Sequence, residues 1–129
     1  MSYLFVLILS FLVAHELDAV HQHEWRILPV LETLSDDVGR SVFVGGHVPL
    51  FAALIVLGLM GSPVVRRRTQ GALAAFMVIH IGLHVRWERP GLCTFDDGLS
   101  RLWILGGGIL GIVYLAEVAR RARTRNFAA

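Results

Sequence analysis

Four long apolar runs, separated by short polar stretches, set the pattern of the chain. The first extends from Tyr3 to about Val20, the second from about Ser41 to Gly61, the third from about Gly71 to Val85, and the fourth from about Leu99 to Val118. A helix that crosses hydrocarbon needs roughly 17–25 residues at about 1.5 Å each. The second and fourth runs reach that length on apolar residues. The first and third reach it only by taking polar residues to membrane depth: His15, Glu16 and Asp18 in one, His80 and His84 in the other. The pattern predicts an all-α fold, an integral membrane four-helix bundle forming a single transmembrane domain over 1–129. Its helices are expected over about 3–25, 41–61, 70–87 and 99–119. The breaks carry turn chemistry: Pro29 and the stretch Thr33 to Asp37, then Gly61-Ser62-Pro63 followed by Arg66 to Arg68, then Arg89-Pro90-Gly91 through Gly98. The first run lacks the basic start and small-residue cleavage site of a signal peptide, so it reads as a membrane helix.

Composition strengthens this picture. Of 129 residues, 55% are hydrophobic and 17% charged, against about 45–50% and about 25% in soluble domains. Disordered, collagen-like and coiled-coil chains are excluded. The net charge is +2 and every basic residue is arginine, clustered at the ends of apolar runs. Membrane topology explains that clustering, and no nucleic-acid partner is expected. Arg66 to Arg68 and the tail from Arg120 to Arg125 place the second loop and both termini in the cytoplasm. The outer loops then carry Glu32, Asp36, Asp37, Asp96 and Asp97, while Trp25, Trp87 and Trp103 fall at outer helix ends as interfacial anchors. The lone Cys93 excludes an internal disulfide, a zinc ribbon and an iron–sulfur site.

With this topology, His15, His47 and His80 lie about two turns below the outer helix ends, about 10 Å inside, and His84 one turn higher. His80 and His84 are four apart and share a helix face, a spacing that lets two imidazoles bind one metal ion. An acid at the bilayer centre costs about 2.5–3.5 kcal/mol on insertion scales, so Glu16 and Asp18 call for a partner or a function. The candidate metal ligands are His15, Asp18, His47, His80 and His84; Glu16 and Glu24 are the candidate catalytic bases. Neutral imidazoles with carboxylates suit a divalent transition metal, zinc or iron. The expected function is a metal-dependent enzyme acting on a lipid-like substrate. Two alternatives stand beside it: a b-type haem electron carrier with His47 and His80 or His84 as axial ligands, and a non-enzymatic membrane subunit whose polar cluster fixes packing. His21 and His23 are read as interfacial.

Two apparent motifs carry nothing. His15-Glu16 begins an H-E-x-x-H pattern, but Ala19 stands where the second histidine belongs. Gly106 to Gly111 matches G-x-G-x-x-G inside an apolar helix rather than after a strand. Gly107 and Gly111 instead suggest a close helix-packing face, within the chain or in a homo-oligomer. Pro49 is expected to kink the second helix near His47, and Glu117 to pair with the arginine tail.

At His15-Glu16-Leu17-Asp18-Ala19 and His23-Glu24-Trp25-Arg26, the chain resembles small uncharacterised bacterial four-helix membrane proteins with a HE-x-DA…HEW motif in their first helix. It is also distantly similar to the HXXEE-type membrane domain family, with Trp25 where that pattern has its second glutamate. The resemblance implies a small polytopic protein of the bacterial inner membrane with a polar first helix, and no particular activity.

Overall fold

The computed structural model describes residues 2–87 and 98–126. Arg89, Cys93, Asp96 and Asp97 lie outside the described residues. Four α-helices account for most of the rest, with no strand among the described residues: α1 (Ser2–His21), α2 (Asp36–Ile55), α3 (Pro63–Trp87) and α4 (Gly98–Asn126). Ser2–His21, Asp36–Met60 and Gly98–Thr124 are long and apolar enough to cross a membrane. Helix α3 carries arginines at its start and histidines at its end.

Helix boundaries depart from the apolar pattern where local chemistry overrides it. α3 begins at Pro63 rather than near residue 70. Proline suits the first helical position because its missing N–H would have had no partner there. The Ser62 hydroxyl accepts from the Val65 amide at 3.4 Å, and the Ser62 carbonyl accepts from Arg66 at 2.8 Å. Arg66 to Arg68 are thus helical. α4 likewise runs on through the basic tail, where Glu117 accepts from Arg120 and Arg121 at 2.8–3.0 Å. α2 continues past Pro49 and ends in a π-helical turn, Val56–Met60.

α1, α3 and α4 pack together around Phe5, Ile8, Leu12, Leu73, Met77 and Tyr114. Glycines permit the close approach. A Cβ on Gly111 would lie 2.5 Å from the Ala74 carbonyl, and one on Gly107 would strike Met77. The glycine face of α4 is therefore turned toward α3 of the same chain. One polar network crosses this core: Gln70 donates to the Gly58 carbonyl in the π turn at 2.8 Å and accepts from the Tyr114 hydroxyl at 3.1 Å.

α2 is attached differently. It meets the bundle mainly at its two ends, through two 3₁₀ turns at its start (Glu24–Arg26 and Leu31–Thr33) and through the π turn against α3. Between those ends a cavity separates it from α1 and α3.

The glycine contacts give a direct test. Gly111→Ala should lower the thermal unfolding midpoint in detergent, a loss of about 1–3 kcal/mol for overpacking. Gly45→Ala, where nothing lies within 4 Å of an added Cβ, should leave the midpoint unchanged or raise it.

Candidate metal centre

The site begins with an interruption. α1 stops at His21, and His23 adopts a left-handed conformation with φ 59° and ψ 41°. This is the conformation that commonly ends helices, and histidine is among the non-glycine residues enriched in it. In an unbroken helix Glu24 would lie nine residues past His15, on the opposite face and about 13 Å farther along. The reversal at His23 instead folds Glu24 back toward the end of α1.

The turn is pinned from α2. Trp25 donates its indole N–H to Asp36 at 2.9 Å, and Arg26 makes two bonds to the same carboxylate at 2.7 and 2.9 Å. Trp25 packs with Ala19 and Phe43, buried rather than spread at the interface. Val30 also has positive φ, 76°, a strained state for a β-branched residue that the surrounding turns must hold.

Four buried side chains then meet. His15 of α1, Glu24 of the turn, and His80 and His84 of α3 each offer one donor atom, and all four atoms lie within 4.8 Å of one another. The Nε2 atoms of His80 and His84 are 2.6 Å apart, those of His84 and His15 3.2 Å, and His15 Nε2 is 3.5 Å from Glu24 Oε2. The His80 and His84 rings stack at 4.5 Å, and the His15 ring stands perpendicular to both. Burial pushes the Glu24 carboxyl up, but the facing His15 ring, with His84 and His80 beside it, more than reverses this and holds it below the usual glutamate range.

This geometry suits a cation. An imidazole nitrogen has one in-plane direction, occupied by a hydrogen or a lone pair. His84 Nε2 faces two other Nε2 atoms, and its single in-plane direction can bond to only one of them. An ion at their meeting point accepts a lone pair from each. Tetrahedral coordination with bonds of about 2.0–2.1 Å sets neighbouring ligand atoms about 3.3 Å apart. The 3.2 and 3.5 Å separations fit that spacing; the 2.6 Å pair would open by about 0.7 Å, and the donor atoms farthest apart, at up to 4.8 Å, would close.

The remaining candidates have other partners. His47 donates from Nδ1 to the Phe43 carbonyl at 2.6 Å, and its Nε2 meets Glu16 Oε2 at 2.8 Å. Asp18 faces α4 and accepts from the buried Ser100 hydroxyl at 2.5 Å. His21 and His23 are exposed. Glu24, read from sequence as a base, sits among the donor atoms. No glycine or proline before it marked the turn that brings it there.

Glu24, His80 and His84 of the cluster and the Glu16–His47 pair border one cavity of about 590 Å³. Its walls are otherwise apolar, formed by residues such as Leu12, Ile27, Leu50, Leu54, Leu73 and Phe76.

Fold and site together define an all-helical protein with helices able to cross a membrane and a buried His/Glu set able to hold a metal ion. The chain belongs to the family of unknown function DUF6713, which matches residues 1–121. No curated protein and no solved structure matches it.

Asp36→Ala removes the acceptor shared by Trp25 and Arg26 and frees the turn that carries Glu24. Metal affinity, measured by competition with a chelator, should fall about 10–100-fold, the usual cost of losing a group that orients a ligand. Helical content by circular dichroism should not change.

Proposed function

We propose that this is an integral membrane metalloenzyme that holds one divalent transition metal, zinc or iron, on His15, Glu24, His80 and His84 and acts on a lipid-like substrate in the adjoining cavity. The observation that carries this reading is the convergence of three imidazole Nε2 atoms and a carboxylate oxygen from three separate segments. Such a metal would activate water or polarise a substrate oxygen by expanding to five ligands or by exchanging Glu24 for the incoming oxygen. Glu16, fixed by His47 on the cavity wall, is the acid–base residue in this scheme, and Glu24 is a ligand. An ion is favoured over haem because the three clustered rings touch one another and leave no slot for a macrocycle, while His47 is held by Glu16. With the arginine-bearing start of α3 on the cytoplasmic face of a bacterial inner membrane, the metal lies toward the outer leaflet.

Elemental analysis of purified protein tests the reading. The wild type should carry about one zinc or iron per chain, in line with a single four-ligand site. His80→Ala and His84→Ala should reduce it to trace levels. Asp18→Ala and His47→Ala should retain it. Metal content that is trace in the wild type, or unaffected by the His80 and His84 changes, would remove the proposal.

A further inference from the structure

We infer that the substrate is a lipid with a hydrocarbon chain and an oxygen-bearing head, admitted from the bilayer between α2 and α3. The head lies at the metal and the chain runs along α2. This inference rests on the metal reading above and adds the class and orientation of the ligand.

The cavity carries its polar side chains, Glu16, Glu24, His47, His80 and His84, with Ile27, Leu28, Leu31, Val42 and Phe43 beside them toward the Glu24 turn. The far end is formed by Leu50, Leu54, Ala72, Leu73 and Phe76. The lining extends from Val42 to Leu54 on α2 and from Ala72 to His84 on α3. Twelve residue steps of helix span about 18 Å. The cavity holds about 590 Å³ and is open along one side, so a hydrocarbon chain fits along it. From His80 to Ala72, eight steps or about 12 Å, about 9 carbons with bonds of about 1.5 Å cover the apolar part.

The mouth identifies the source of the ligand. Val42 and Leu50 of α2 and Phe76 of α3 line the cavity yet are 50%, 44% and 41% exposed. They mark an open side between two helices at hydrocarbon depth. A water-soluble molecule would have to cross lipid to enter there, whereas a lipid tail is already present. Attachment of α2 at its ends leaves this side unobstructed. Gly46 lines the space, and nothing lies within 4 Å of a Cβ added to it.

The experiment uses the full chain in detergent, loaded with cobalt(II), whose visible absorption reports a new oxygen ligand. Two probes share a metal-binding head, acetohydroxamate without a tail and dodecanohydroxamate with one. Gly46→Phe fills the cavity from α2, and Gly45→Phe places the same ring outside the lining, also in open space. Gly46→Phe should raise the dodecanohydroxamate concentration needed for the spectral change at least about tenfold and leave acetohydroxamate unchanged. Gly45→Phe should match wild type with both probes. If Gly46→Phe loses cobalt, Ala72→Phe fills the cavity from the α3 wall and decides the question. A filled cavity that still binds dodecanohydroxamate like wild type overturns the inference, as does an equal loss in Gly45→Phe. Cobalt uptake by the wild type without a response to dodecanohydroxamate also overturns it and leaves the metal reading intact. Absence of cobalt uptake overturns the metal reading itself.

Discussion

A polar group in hydrocarbon has no water to turn to, so each must find its partner inside the protein. The described helices meet that requirement with pairings that cross between elements. Asp18 is answered by Ser100 of α4, Glu16 by His47 of α2, and Gln70 by both Tyr114 and the Gly58 carbonyl. Each pairing ties two helices together and fixes their relative depth. The His15, Glu24, His80 and His84 group differs. It brings three like nitrogens to one point, where each can satisfy only one neighbour. A network built for packing alone would alternate donors with acceptors, as the other three do. Convergence of three Nε2 atoms and a carboxylate oxygen is an arrangement that could hold a cation.

That convergence depends on the break after α1. A straight helix through residue 25 would have carried Glu24 out to the interface, leaving three imidazoles without a carboxylate. The left-handed His23 makes the reversal, and Asp36 holds its far side through Trp25 and Arg26. The fourth donor is therefore supplied by a turn outside the helices, whereas the three histidines come from packed helices. Of the four donors, Glu24 is the one whose position can change without disturbing the α1–α3–α4 core.

Much of this was legible in the chain. The apolar runs define four helices, and the spacing of His80 and His84 places both on one face. Arginine placement suggested that His15 lies at a similar depth, and the structure brings it beside them. Helix ends were less legible, because hydropathy is silent about them. The Arg66 to Arg68 run looks like loop by polarity, yet Ser62 and Pro63 start a helix ahead of it. The role of Glu24 was hidden for a different reason: His21-Gln22-His23 contains no residue that forces a stop, and the turn is stabilised by Asp36, ten residues or more away. The partners of Asp18 and His47 were also beyond reach, since facing around a helix axis depends on which neighbours pack, and that is settled by glycines and large side chains on other helices.

The two modes of packing divide the labour of the bundle. α1, α3 and α4 interlock through glycines that accept Met77 and the Ala74 backbone, and such close contacts resist relative motion because a packed interior deforms little. The three histidines sit on that frame, which keeps their donor atoms close together. α2 contributes none of the clustered donors. It supplies Asp36, which steadies the turn, and His47, which holds Glu16, and otherwise stands across the cavity from the cluster. Small shifts of its middle would widen the cavity without moving His15, His80 or His84. The clustered histidines and the loosely attached wall of the cavity thus reside on different helices.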